Sequence, residues 1–292
     1  MITYDKILDM VDVTKHDHKK LIFIPLGLVL ISVIILGTMG INLGVDLRGG
    51  NLATVNGVSY SPEMQDYLIT NLGDSTIKVR SIYSPLNEGF IVETGPDVDS
   101  SKLISLINAR YPDAAVSVQN VGPSLGASFL EQGIQAVLLA FLFMAIIVFI
   151  AFRMPIPSAA VVFSAFSDML VALAFMSLVG IELSRYTIAA ILMLIGYSVD
   201  TDILLTTRVL KEKGDTINQK VRNAMKTGLM MTFTTLAALS SLYIFSTSEV
   251  IDDIAIVLIF GLIADLMMTW IFNTGVLKWY VMRRVKAGDT DE

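Results

Sequence analysis

The stretch Ile195-Gly196-Tyr197-Ser198-Val199-Asp200-Thr201-Asp202 lies within an apolar run from Thr187 to Thr207. That run is long enough to cross a bilayer as a helix, which takes about 20 mostly apolar residues. It nevertheless carries two carboxylates, and an Asp at the bilayer centre costs roughly 2.5–3.5 kcal/mol on insertion scales. Because such a residue is expected to face a protein interior or a wet cavity, the stretch predicts a membrane helix with a functional site.

The two acids of this stretch point to different sides of the helix. Asp200 and Asp202 are about 200° apart around a helix of 3.6 residues per turn. Asp200 shares a face with Gly196, one turn earlier. Asp202 shares a face with Ser198 and lies nearer to the Arg208 end of the run. We therefore expect Asp200 to be the buried acid and Asp202 to be interfacial and solvated.

The composition indicates a polytopic α-helical membrane protein with one embedded water-soluble segment. Of 292 residues, 54% are hydrophobic and 16% are charged, with a mean hydropathy of +0.67. Soluble domains carry nearer to about 25% charged residues. The net charge of −6 gives no indication of a nucleic-acid partner.

The scarcity of cysteine and histidine excludes several classes of site. The chain has no cysteine, which excludes a disulfide framework, a thiolate metal site and a Cys nucleophile. Its two histidines, His16 and His18, are both near the N-terminus, so a His-based metal site or a Ser-His-Asp triad inside the membrane is excluded as well. We expect no metal, no cofactor and no enzymatic activity.

Six transmembrane helices are predicted, with a cytoplasmic amphipathic lead before them over residues 1–20. The second to sixth helices form a bundle over residues 127–276, and residues 277–292 are a cytoplasmic tail. Lys and Arg are concentrated in the loops on the side of the N-terminus, and Arg185 alone lies in the short loops opposite, so both termini are expected in the cytoplasm. The predicted spans are residues 21–41, 129–152, 157–180, 186–207, 227–246 and 253–276.

The segment between the first two helices, residues 42–126, is predicted to be an extracytoplasmic α+β domain. Alternating apolar residues predict four strands, and two helical patterns separate the first strand from the second and the third from the fourth. The order βαββαβ is that of a ferredoxin-like fold. Because the segment shows no His, Cys or clustered acids, we interpret it as a binding or lever module.

Small residues precede three membrane acids by one helical turn, which places each pair on one helix face. Small residues let helices approach closely, so the third, fourth and sixth helices are expected to meet in a shared polar interior. A carboxyl group that is neutral on one side of a transport cycle and ionised on the other can carry a proton. For Asp168 and Asp265 the alternative of a protonated carboxyl that simply holds helices together stays open. The pairs are Ser164 and Asp168, Gly196 and Asp200, and Gly261 and Asp265.

Two further motifs flank the predicted α+β domain, one on leaving the membrane and one on returning to it. Together with the helix-four stretch and the six spans, they resemble the SecF branch of the SecD/SecF family, of the resistance-nodulation-division superfamily. The glycines most simply fix backbone where the chain leaves and re-enters the membrane. The motif residues are Gly44, Asp46, Arg48, Gly49 and Gly50, then Gly122, Pro123 and Gly126, and Gly196 in helix four.

The resemblance implies an accessory subunit of the Sec protein translocase in the cell membrane. Such a subunit acts with a SecD-like subunit beside the translocon channel, and uses the transmembrane ion (proton) gradient to promote preprotein export. The family motif Gly-Tyr-Ser-(apolar)-Asn-Asp-Thr places its coupling acid at Thr201, whereas this chain has the acid one residue earlier, at Asp200. Asp168 matches an acid of the family's third helix, and Lys226 matches a basic residue before its fifth helix.

Three other functions are considered. A small-molecule or lipid exporter of the same superfamily typically has two six-helix repeats, and this chain has one. An intramembrane aspartyl protease needs two membrane acids, but the chain lacks a Gly-x-Gly-Asp run. A purely structural scaffold would keep normal export when Asp200 is changed to Asn.

Overall fold

A computed structural model of the chain describes residues 18–83, 88–246 and 248–286. Most of the predicted lead over residues 1–20 and the last residues of the predicted tail lie outside the described residues. In chain order the elements are α1 (His18–Met39), α2 (Val45–Arg48), β1 (Gly50–Asn56), α3 (Glu63–Leu72), β2 (Lys78–Tyr83), β3 (Glu88–Thr94), α4 (Ser100–Arg110), β4 (Ala115–Val121), α5 (Pro123–Phe152), α6 (Pro155–Val179), α7 (Arg185–Lys211), α8 (Ile217–Phe245), α9 (Glu249–Met267), a π-helical turn (Met268–Asn273) and α10 (Thr274–Lys286).

Six helical spans among the described residues are long and apolar enough to cross a membrane. They are α1, α5, α6, α7, α8 and the continuous rod made of α9, the π-helical turn and α10. Helices α6, α7 and the rod are the most buried of the six. The predicted six-span fold is therefore confirmed.

Several helices extend further than their apolar residues indicate. Helix α5 begins at Pro123 rather than at residue 129, and α8 begins at Ile217 rather than at residue 227. The last rod continues to Lys286, beyond the predicted end at residue 276. Hydropathy marks the part of a helix that suits lipid, whereas backbone hydrogen bonding continues into polar turns. At α8, a capping box from Thr216 sets the true start.

The sheet domain, residues 50–121, has the predicted βαββαβ order and an antiparallel four-stranded sheet. The strand order is β2-β3-β1-β4. Helices α3 and α4 cover one face, where Leu68 and Leu103 pack with Val55 and Phe90 in a fully buried core. The other face is turned toward the helix bundle, because Leu52 and Ile91 line a cavity together with residues of the bundle.

The two glycine motifs that flank the sheet domain pack directly on each other. Gly49 and Gly50 both have positive φ, and an added Cβ at Gly50 would collide with the carbonyl oxygen of Thr94. At Gly126 a Cβ would come within 2.9 Å of the backbone nitrogen of Gly49. A Cβ at Gly49 would meet Pro123 at 2.8 Å. Glycine is therefore required where the chain leaves one membrane helix and enters the next.

The segment before the sheet domain is also joined to the loop between α6 and α7. The backbone nitrogen of Gly44 donates to the carbonyl oxygen of Leu183 at 2.9 Å, and Leu183 donates to Asn42 at 2.7 Å. The carboxylate of Asp46 accepts hydrogen bonds from the backbone nitrogen of Arg185 at 2.7 Å and from its Nε at 3.2 Å. These bonds fix the base of the sheet domain against one end of the bundle.

The glycine packing makes a stability prediction. Gly50→Ala adds a collision with the Thr94 carbonyl to a φ of 138°, and we expect it to lower the free energy of unfolding by about 3 kcal/mol or more. Gly57→Ala is the control, since its φ is 87° and nothing lies within 4 Å of an added Cβ. It should cost only about 1–2 kcal/mol. Thermal unfolding in detergent followed by circular dichroism compares the two, and equal losses would contradict the packing argument.

Candidate functional site

Three carboxyl groups meet in the interior of the helix bundle. Asp168 comes from α6, Asp202 from α7 and Asp265 from α9, and all three side chains are fully buried. We call them the acid cluster. The prediction that the third, fourth and sixth membrane helices share a polar interior is thus confirmed, although α7 contributes a different acid from the expected one.

Hydroxyl groups of α7 bind two of the three acids. Ser198 Oγ donates to Asp168 Oδ2 at 2.6 Å. Thr201 Oγ1 lies 3.1 Å from Asp265 Oδ2 and 3.2 Å from Asp265 Oδ1. Both donors come from the stretch Ile195–Asp202, so that stretch lines the cluster with hydroxyls as well as with an acid. This lining offsets part of the cost of burying carboxyl groups away from water.

The π-helical turn supplies the remaining donors. Thr269 Oγ1 lies 2.8 Å from Asp202 Oδ1 and 2.9 Å from Asp265 Oδ1. Asn273 Nδ2 donates to Asp202 Oδ1 at 2.6 Å. Sequence reasoning missed both residues. A signal was present, because Asp265, Thr269 and Asn273 recur every four residues along an otherwise apolar helix.

The geometry at Thr269 favours a proton in the acid cluster. A threonine hydroxyl has one hydrogen to donate. It can donate fully to Asp202 or to Asp265, and the other short contact becomes a full hydrogen bond when that carboxyl carries a proton. Without that proton, two oxygen atoms with no hydrogen between them would face each other in a water-poor interior, which is costly. A proton shared within the cluster is therefore energetically favourable.

The assignment of burial to the two acids of helix four is wrong and has to be reversed. Asp202, expected to be solvated, is fully buried in the acid cluster, and Asp200, expected to be buried, is exposed on the outer surface of α7. Asp202 follows Ser198 by one turn on the face that packs against α6 and α9. The sequence placed Asp200 and Asp202 on opposite faces of α7 but did not determine which face turns toward the interior of the bundle.

Two other candidate residues also lie outside the acid cluster. An added Cβ at Gly196 would meet nothing within 4 Å, so this glycine lies on the same open face of α7 as Asp200. Lys226 is exposed and lies inside α8 rather than before it. By contrast, the predicted close approach at Gly261 is confirmed, because a Cβ there would collide with the side chain of Leu194.

An apolar layer separates the acid cluster from the sheet domain. Leu194 and Ile191 of α7 pack there with Leu258 of α9 and Met176 of α6, and all four are buried. On the opposite side of the cluster, the buried neighbours include polar groups such as Thr206 and Thr274. Among the described residues, no group of three or more His, Cys, Asp or Glu side chains is arranged to hold a metal ion.

A second charged group lies at the junction of the sheet domain and the bundle, beside a cavity of about 410 Å³. Glu93 of β3 forms ion pairs with Arg80 and, at 3.4 Å, with Arg48. Glu182, between α6 and α7, pairs with Lys78 at 2.6 Å. The carboxyl group of Glu182 lies near that of Glu93. Burial raises the pKa of Glu93 above its ordinary value, Arg80 opposes that shift and Glu182 adds to it.

Comparison with known families accounts for most of the chain. The model of the family described as "Protein export membrane protein SecD/SecF, C-terminal" matches residues 105–283, and that of the "SecD/SecF GG Motif" matches residues 34–56. Protein-export membrane protein SecF of Thermococcus gammatolerans is 45% identical over 287 residues, covering 93% of this chain and 88% of the relative. SecF of Pyrococcus furiosus is 45% identical over 274 residues, covering 92% and 93%.

Solved structures share the fold. SecDF of Thermus thermophilus, a translocon-associated membrane protein, superposes with a TM-score of 0.77 at 20% identity. The match covers 90% of this chain and 38% of that longer chain. SecDF in its super-membrane-facing form superposes with a TM-score of 0.61 at 21% identity. At these identities the likeness establishes the six-helix and sheet-domain architecture and nothing finer.

The junction carboxyls make stability depend on pH. Because folding raises the pKa of Glu93, its contribution is fully present below the ordinary glutamate pKa and is lost as pH rises through the raised value. Glu93→Gln removes this titration, so we expect the melting temperature of the wild type minus that of the variant to fall as the pH rises above the ordinary pKa of glutamate. Thr54→Val, at a residue that lines the same cavity and does not titrate, should give a flat difference. A wild-type advantage at Glu93 that grows with pH would contradict the burial argument.

Proposed function

The chain belongs to the SecD/SecF family of protein-export membrane proteins as a SecF-type member, and we propose that it is an accessory subunit of the Sec translocase. In this proposal it acts with a SecD-like subunit beside the translocon channel and uses the transmembrane proton gradient to promote preprotein export. It is a multi-pass membrane protein whose relatives are named as export subunits rather than enzymes.

The observation that carries the proton-coupling proposal is the hydroxyl of Thr269 between two buried carboxyl groups. This arrangement favours a proton in the acid cluster. A bound proton that exchanges with opposite sides of the membrane would couple the gradient to a conformational change. Moving one charge across 100 mV releases about 2.3 kcal/mol. That energy is enough to bias a conformational step by well over ten-fold.

We assign the coupling role to the acid cluster rather than to Asp200. Asp202 and Asp265 share Thr269 as a neighbour, and Asp168 is held by Ser198 on the same inner face of α7. Asp200 lies outside this group, although it directly precedes the family's coupling position at Thr201. Lys226 is exposed on α8, and any coupling role for it would act through a contact outside the cluster.

The proposed location is the cell membrane, with both termini in the cytoplasm and the sheet domain outside. The distribution of Lys and Arg supports this orientation, because basic residues favour the cytoplasmic side of membrane proteins. With this orientation the apolar layer lies on the outer side of the acid cluster. The sheet domain, fixed to the bundle through its glycine motifs, then faces preproteins that emerge from the translocon.

The open face of α7 supports a SecD-like partner. Asp200 and Gly196 lie on this face, and Met193 and Tyr197 beside them are 47% and 38% exposed. A carboxylate facing lipid near the membrane centre is costly, whereas a second helix could approach closely over Gly196 and donate a hydrogen bond to Asp200. The likeness to chains named SecDF supports a SecD-like subunit as the source of that helix.

A small-molecule or lipid exporter is the less supported alternative. The SecF proteins of Thermococcus gammatolerans and Pyrococcus furiosus are named for protein export. An exporter of that kind would also be expected to transport its substrate without the Sec translocon.

The coupling proposal predicts which substitutions remove the response to the gradient. Asp168→Asn, Asp202→Asn and Asp265→Asn should each reduce preprotein export in inverted vesicles to the rate measured without a gradient, because an amide cannot take up and release a proton. Asp200→Asn, once assembled with the partner, and Asp113→Asn on an exposed loop should keep the response. Gradient-stimulated export that survives in all three cluster variants would refute coupling through these acids.

The partner proposal predicts that bulk on the open face of α7 blocks assembly. Gly196→Leu should strongly reduce copurification of the SecD-like subunit from detergent-solubilised membranes. Gly27→Leu on α1 is the matched control, since a Cβ at either glycine would meet nothing within 4 Å of this chain. Equal recovery of the partner with both variants would show that the subunits meet elsewhere.

A further inference from the structure

Thr269 has a hydroxyl that lies within 3 Å of two acids from different helices. Its Oγ1 lies 2.8 Å from Asp202 Oδ1 on α7 and 2.9 Å from Asp265 Oδ1 on α9. The side chain is fully buried, so bulk water does not reach it. By contrast, the contacts of Thr201 with Asp265 are longer, at 3.1 and 3.2 Å, and Thr201 also lies 2.9 Å from the carbonyl of Ser198.

The π-helical turn holds this hydroxyl in place. A π-helical turn has more residues per turn than an α-helix, which changes the angle between side chains four residues apart. As a result, Thr269 and Asn273 both contact Asp202, and Thr269 also contacts Asp265. The turn is fixed by Trp270, which is 2% exposed and packs so closely on Gly228 of α8 that a Cβ there would collide with the indole. Local π-helical winding inside α-helices is frequent at functional sites.

Other oxygens of the cluster are buried and unpartnered within the described part of the chain, and can therefore accept a further hydrogen bond. Asp168 Oδ1, Asp202 Oδ2 and Asn273 Oδ1 are buried and have no hydrogen-bond partner among the described residues. Asp202 therefore has one oxygen engaged by Thr269 and Asn273 and a second that can take part in exchange. Asn273, by donating to Asp202 Oδ1 at 2.6 Å, keeps the engaged oxygen oriented toward Thr269.

We propose that Thr269 is a proton relay between Asp265 and Asp202, with Asn273 as the residue that positions the acceptor. In the forward step the proton on Asp265 Oδ1 passes to Thr269 Oγ1, while the hydroxyl proton of Thr269 passes to Asp202 Oδ1. Asp265 becomes a carboxylate, Asp202 becomes neutral and the hydroxyl is regenerated with its hydrogen reversed. Rotation of the hydroxyl restores the starting geometry.

This relay rests on the proposed proton-coupled function and adds to it the residue that carries the proton between the two acids. It differs from simple structural support in requiring the oxygen–hydrogen bond of residue 269 and not its methyl group. Serine keeps the hydroxyl, valine keeps the shape without it, and cysteine replaces it with a weakly hydrogen-bonding thiol. Three substitutions at one position therefore separate chemistry from packing.

The test is gradient-driven proton uptake into proteoliposomes that contain the full chain and its SecD-like partner, followed with a trapped pH-sensitive dye. Thr269→Val should lower the initial rate by about 10²-fold, in the range typical for loss of a proton-transfer group. Thr269→Ser should restore nearly the wild-type rate, and Thr269→Cys should give an intermediate one. Thr232→Val on α8 is the control, because that buried hydroxyl bonds to the carbonyl of Gly228 on its own helix.

Assembly and thermal stability are measured for every variant, and Thr269→Cys decides the outcome if Thr269→Val does not assemble. A wild-type rate in Thr269→Val, or in Thr269→Cys in that case, would overturn the relay, and so would equal losses in the serine and valine variants. Asp202→Asn separates this failure from failure of the function itself. If Asp202→Asn stops uptake while Thr269→Val does not, the relay alone is wrong; if neither changes uptake, the proposed coupling is wrong.

Discussion

The structure depends on the cost of placing carboxyl groups inside an apolar bundle. Three acids from three helices would each be unfavourable in lipid. They are accommodated because hydroxyl and amide groups of the same helices turn toward them: Ser198, Thr201, Thr269 and Asn273. These donors are too few to satisfy three carboxylates, and the shortage favours a bound proton. The same constraint thus explains the packing of α6, α7 and α9 and their proposed use.

The second constraint is geometric and lies outside the membrane core. The sheet domain is joined to the bundle through glycines that leave no space for a Cβ, through backbone hydrogen bonds to Leu183 and through the ion pair of Asp46 and Arg185. These contacts leave the joint little freedom to bend. Between the joint and the acid cluster lies an apolar layer, so communication between the two must pass through movement of whole helices.

The sequence predicted the six spans, the βαββαβ order and the meeting of three helices, because each of these depends on patterns that repeat along one element. It did not predict which acid of helix four turns inward, because Asp200 and Asp202 lie on opposite faces and the outer face is proposed to be covered by another subunit. The roles of Thr269 and Asn273 were missed because their meeting with Asp202 depends on a π-helical turn. Hydropathy also misplaced the start of α8, which is set by the cap at Thr216.

The central claim is that the acid cluster holds a proton that leaves during the working cycle. Infrared difference spectroscopy tests it most directly, on the complex in membranes before and after the gradient is imposed. A protonated carboxyl has a carbonyl band distinct from that of a carboxylate. The account predicts a change in this band that disappears when Asp202 or Asp265 is replaced by Asn and stays when Asp200 is replaced. A spectrum with no protonated-carboxyl band in either state, or a band change that survives both cluster substitutions, would contradict it.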